Sequence, residues 1–172
     1  MSSTREAEAL TVIPSKRRLG AVVSIILLAT SYLAAQERAS EWIAAGVLHS
    51  SNAEPDDQLG VGGALMGPTL AISRDGRTLA VAAPHEDGGA RGIDGDQADN
   101  SVYGAGAVYV FTRNGDTWRQ QAYLKASNPS LLDGFGFAIA LSGNGDTLAV
   151  SANYEDSSAS GVDGDQSDES AE

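Results

Sequence analysis

The apolar positions of this chain fall into two regimes. Leu19 to Ala35 is a run of 17 mostly apolar residues without a charge, whereas from Glu41 onward apolar residues come in short bursts between Gly-, Asp- and Asn-rich stretches. Short apolar bursts bounded by turn residues predict β-strands. Thr69–Ser73 and Thr78–Ala83 flank the turn Arg74-Asp75-Gly76-Arg77 and read as a hairpin. A long polar loop, Pro84 to Gly104, leads to Ala105–Arg113, which carries the densest β-branched and aromatic content of the chain. Asn114-Gly115 turns it back into Thr117–Lys125. The loop Ala126 to Gly134 then leads to a second pair, Phe137–Ser142 and Thr147–Ala152. Asn144-Gly145 between them predicts a type I′ hairpin turn.

This pattern repeats. Gly67–Ser101 recurs without gaps at Gly136–Ser170, so Thr78-Leu79-Ala80-Val81 returns as Thr147-Leu148-Ala149-Val150 and Glu86-Asp87 as Glu155-Asp156. A fixed long period marks one structural unit used more than once. A second, slightly longer offset relates Trp42 and Leu48 to Trp118 and Leu124, Asn52 to Asn128, and Asp57 with Gly60 to Asp133 with Gly136. The difference is an insertion within or near Val61–Met66. Each unit is therefore four antiparallel strands. Residues 41–51 form a leading fourth strand, 69–125 a full unit and 135–172 a partial one. Four-stranded antiparallel sheets in series predict an all-β fold of β-propeller blades. The array is incomplete, so the chain is expected to be a fragment of a longer protein, with self-association through incomplete blades as the other way to close it.

Lys16-Arg17-Arg18 precedes the apolar run, the arrangement of an export signal. Residues 1–35 are expected to be a cleaved signal peptide, an uncleaved membrane anchor or, third, a buried core helix. The first two place the remainder outside the cytoplasm, extracellular, periplasmic or on the cell surface, with membrane contact only through this segment. The formal net charge of −12 repels nucleic-acid phosphates, so no nucleic-acid partner is expected. With no cysteine, disulfides and thiolate metal sites are excluded. His49 and His85 share no ligand-like spacing and read as ordinary loop or strand residues.

Gly106-Ala107-Val108-Tyr109-Val110-Phe111-Thr112-Arg113, Gln121 to Asn128, and Leu141 to Val150 resemble the FG-GAP repeat family, the blades of the integrin α-subunit propeller and of many bacterial surface proteins. The resemblance runs from about Glu41 to the end. Phe135-Gly136 carries the family's FG, where the first unit has Leu59-Gly60. The GAP position reads Ala82-Ala83-Pro84 and Ser151-Ala152-Asn153. The resemblance implies an extracellular recognition or adhesion scaffold with a protein or glycan ligand. Integrin-type repeats often hold calcium in an Asp-rich turn between the first two strands; here that turn lacks alternating carboxylates.

Calcium has another candidate place. Asp94, Asp96 and Asp99 form D-x-D-x-x-D in the long loop, and Asp163, Asp165 and Asp168 repeat it. Alternating Asp can converge on one ion, though the spacing is not that of an EF-hand, and Asx turns explain the same residues. Glu86-Asp87 and Glu155-Asp156 are paired carboxylates of the kind used for acid–base work. A catalytic pair is needed once per site, whereas a loop-shaping pair is needed once per blade, so they read as structural. No nucleophile elbow or phosphate loop occurs, and no catalytic residue is expected. Trp118 and Tyr123 read as packing groups. The other readings are a calcium-ordered structural module, part of a propeller enzyme whose site lies outside this chain, and a degenerate fragment without function.

Overall fold

The computed structural model describes residues 47–62, 66–162 and 164–166. The expected signal or anchor segment 1–35, the leading strand before Val47, and Asp163 and Asp168 lie outside the described residues. The described residues form six strands: β1 Leu70–Ile72, β2 Thr78–Ala83, β3 Ala107–Asn114, β4 Thr117–Leu124, β5 Ala138–Leu141 and β6 Leu148–Ser151. The first four form one antiparallel sheet in the order β1-β2-β3-β4, and β5 pairs with β6 in a second. The described chain is all-β, and β2 begins and ends where the apolar burst does.

The turns differ from expectation in one respect. At Ser142–Thr147, Gly145 takes φ +79° but Asn144 does not enter the left-handed region, as type I′ requires at both central residues. Gly145 N–H instead donates to Ser142 C=O at 2.9 Å, and Thr147 N–H donates to the Ser142 hydroxyl at 2.9 Å. The serine side chain caps a longer turn and Gly145 absorbs the reversal. Ser73, Gly76 and Thr78 repeat this turn, with Gly76 N–H to Ser73 C=O at 2.9 Å and Thr78 N–H to Ser73 Oγ at 2.9 Å. At Gly115-Asp116 only the glycine has positive φ, +59°, which matches a two-residue turn with glycine first.

Alternation along β2 puts apolar side chains on both faces. Leu79, Val81 and Ala83 join Tyr109, Phe111, Tyr123 and Leu59 in one buried cluster, against which Leu48 and Trp118 pack. Ala80 and Ala82 join Val108 and Ile139 in a second, covered by Phe135, Leu148 and Val150. The second cluster is the seam between the two sheets. Small residues make that seam close. A Cβ on Gly136 would meet Ala82 Cβ at 2.9 Å, and one on Gly106 (φ +82°) would fall on the backbone of Phe135. Phe135-Gly136 is thus the wedge by which the second unit seats on the first. Tyr123 is fully buried and Trp118 partly so, as packing groups.

Candidate functional site

The long loop between β2 and β3 starts at a buried carboxylate. Glu86 is 1% exposed, in a turn fixed by its N–H to Ala83 C=O, 3.2 Å. Its Oε1 accepts from Tyr123 OH at 2.8 Å and Asn52 Nδ2 at 3.0 Å; its Oε2 accepts from Lys125 Nζ at 2.7 Å and Gly88 N–H at 3.0 Å. Four donors fill the acceptor positions of one carboxylate. Tyr109 OH extends the network to Asn52 Oδ1 at 2.7 Å. The rings of Tyr109 and Tyr123 pack tilted with centroids 5.4 Å apart. Glu86 and Lys125 form a fully desolvated ion pair, so each charge depends on the other. Burial lowers the Lys125 pKa, against the pull of Glu86, and burial followed by the Glu86 charge raises both tyrosines. Asp57, 5% exposed, is pushed up to about 6, chiefly by desolvation, although Glu54 N–H donates to it at 2.8 Å.

The network joins units. Asn52 lies ahead of the β1–β4 sheet, while Glu86 follows β2 within it. The junction between the first and second units repeats its amide–carboxylate bond, in a more exposed setting: Asn128 Nδ2 donates to Glu155 Oε1 at 2.9 Å. The neighbouring contacts repeat as well. Ser51 bonds Gln97 and Ser127 bonds Gln166; Asp57 accepts Glu54 N–H as Asp133 accepts Ser130 N–H, at 2.7 Å. Each long loop is therefore clasped by the segment entering from the previous unit.

The predicted carboxylates are turn braces within the first long loop. Asp94 (φ +54°) accepts from Tyr123 N–H at 2.9 Å and donates its own N–H to Tyr123 C=O at 2.8 Å. Asp96 accepts from Ala98 N–H at 2.9 Å and Asp99 from Ser101 N–H at 3.0 Å, both Asx turns. Asp165 sits in the second long loop. Among the described residues, no three His, Asp or Glu side chains converge as a metal-ligand set. Glu86-Asp87 shapes the loop: Asp87 accepts from Gly104 N–H at 2.8 Å. The hub partners Lys125, Tyr109 and Asn52 were not singled out as site residues by sequence. The signal was present in the paired recurrence of Asn52 with Asn128 and Glu86 with Glu155.

Between the two clasped loops lies a cleft of about 570 Å³. Met66, Pro84, Leu131, Leu132, Phe137 and Tyr154 give it apolar walls; His85, Asn153 and Asp156 give it polar groups. Leu131, Leu132 and Tyr154 are 63%, 49% and 64% exposed, and Tyr103 beside them 61%.

Fold and site together define an all-β repeat protein whose successive units are locked by one recurring clasp. Residues 118–168, from β4 across the junction into the second long loop, match the family model of the FG-GAP repeat, so the chain carries an FG-GAP repeat. No curated protein and no solved structure matches the chain.

Proposed function

We propose that this chain is a non-catalytic recognition scaffold of FG-GAP propeller blades, exported from the cytoplasm, that presents its long loops to a protein or glycan ligand. The observation that carries this reading is the exposed apolar cleft between two long loops, each held by an amide–carboxylate bond from the segment before it. Loops on a rigid framework commonly carry binding, and contiguous exposed apolar side chains mark interaction sites. The repeat match across the junction and the basic cluster ahead of the apolar run at 19–35 support an exported propeller-type module. The carboxylates most open to chemistry recur once per unit, which favours a structural role over catalysis.

Binding of the purified chain to arrays of extracellular proteins and glycans tests the proposal. Saturable binding that Leu131→Asp abolishes, with melting unchanged, is the expected result. Binding indifferent to Leu131→Asp, or turnover of a bound compound, would contradict it. In this reading Asp94, Asp96 and Asp99 brace the loop without an ion, so calcium and chelator leave the Tm unchanged. A saturable calcium-dependent rise in Tm would assign these residues to the ion instead.

A further inference from the structure

Leu132 occupies a position where leucine is locally unfavourable. Its φ is +65°, in the left-handed region that costs a residue with a Cβ about 1–2 kcal/mol. The corresponding residue of the preceding junction is Asp56, with φ +74°. Aspartate tolerates this conformation better than leucine does. The loop geometry therefore demands a left-handed residue but not a leucine. Nor does core packing: Leu132 is half exposed, and its neighbour Leu131, where the preceding junction has Pro55, is more so. Both leucines instead wall the cleft, together with Phe137 and the exposed ring of Tyr154. A backbone-disfavoured residue retained at a concave apolar surface is a mark of binding.

The cleft also has a sign. Among the described residues that line it, Asp156 is the one carboxylate, His85 is the one basic side chain, and there is no Lys or Arg. Asp156 has no hydrogen-bond partner among the described residues. The chain carries a formal net charge of −12, so the field around the cleft favours cations. The exposed face of Tyr154 can hold a cation against the ring. We infer that the cleft binds a small organic cation: an apolar body seated on Leu131, Leu132 and Phe137, with an ammonium or guanidinium group directed at Asp156 and Tyr154. This rests on the recognition reading above and names the ligand class for its cleft.

The test uses the full chain and ligand-observed NMR with three probes of one shape: phenethylammonium, phenethyl alcohol and phenylacetate. The cation is expected to bind about threefold tighter than the alcohol, the size of a partly exposed charge pair, with the anion weakest. Asp156→Asn abolishes that preference and leaves the alcohol unaffected. Leu132→Asn, which suits the left-handed backbone, weakens all three about fivefold without lowering the Tm. Asp156 stands where Asp87 braces Gly104 in the first unit. If it is only such a brace, Asp156→Asn lowers the Tm and leaves the preference among probes intact, which overturns the inference. So does equal binding of cation and anion, or the absence of binding by all three probes. Array binding that is still lost in Leu131→Asp would, in that last case, preserve the recognition reading while this inference falls.

Discussion

At the scale of single residues, the molecule concentrates its risk in Glu86. Removing one partner of a buried ion pair strands the other, so Glu86→Ala is expected to cost about 3–5 kcal/mol, read from denaturant unfolding. The double change Glu86→Leu with Lys125→Met removes both charges and is expected to cost less than Glu86→Ala alone. Asp57 gives the chain a pH signature. Its pKa of about 6 when folded exceeds its ordinary value of 3.8, so the folded state binds the extra proton between them. Stability from this group therefore rises as pH falls from about 6 toward 4, by on the order of 2 kcal/mol, and the penalty is complete above the folded pKa. Unfolding curves across that range should show the slope in the native chain and lose it in Asp57→Asn; parallel curves would contradict the assignment. Two glycines separate strain from collision. Gly76 (φ +69°) faces open space, so alanine there costs only the left-handed strain, about 1 kcal/mol. Gly106 supports the Phe135 backbone, so alanine there adds a backbone clash and is expected to cost about 2–4 kcal/mol.

At the scale of elements, strand identity was legible because Gly, Asn and Asp punctuate the chain where apolar bursts end. The burst Thr78–Ala83 and the strand β2 coincide for that reason. Turn type was less legible. Asn144-Gly145 has the composition of a type I′ turn, but the Ser142 hydroxyl captures Thr147 N–H and sets a longer turn. Side-chain capping of this kind depends on a residue two positions upstream of the dipeptide. Substituting Ser142 by Ala removes the cap and is expected to cost about 1 kcal/mol, measurable as a lower Tm with the β-sheet signal intact. The bulge in β4, where pairing shifts between Val110 and Phe111, left no mark in the pattern, because Gln121 fits either register by polarity. The hub was hidden for a different reason. Asn52, Glu86, Tyr109 and the Tyr123–Lys125 end of β4 come from four segments, and only the strand order β2-β3-β4 and the clasp of the preceding unit bring them together. The repeated carboxylates were visible; what they hold was not. The Asx turns of Asp96 and Asp99 were legible as an alternative to calcium, because each satisfies an N–H two residues on, while the Tyr123 N–H that Asp94 satisfies becomes apparent only once the loop folds back.

At the scale of the whole molecule, the seam and the clasp divide the work of holding units together. The seam is apolar and close, with Phe135, Leu148 and Val150 laid over Ala80, Ala82 and Val108. The clasp is polar and lies at the loop end, where Asn52 reaches Glu86 and Asn128 reaches Glu155. Apolar contact brings sheets together with little directional preference; the amide–carboxylate bonds fix where each long loop sits. The cleft walled by Leu131, Leu132 and Tyr154 inherits its shape from that arrangement. If the recurring clasp fixes the loops that wall the cleft, amide hydrogen exchange on Asn128→Ala will show it. Exchange is expected to be about tenfold faster and confined to residues 155–166, as for losing a hydrogen bond to a carboxylate, with β2, β3 and β4 unchanged. Unchanged exchange over 155–166, or acceleration spread evenly through the chain, would contradict it.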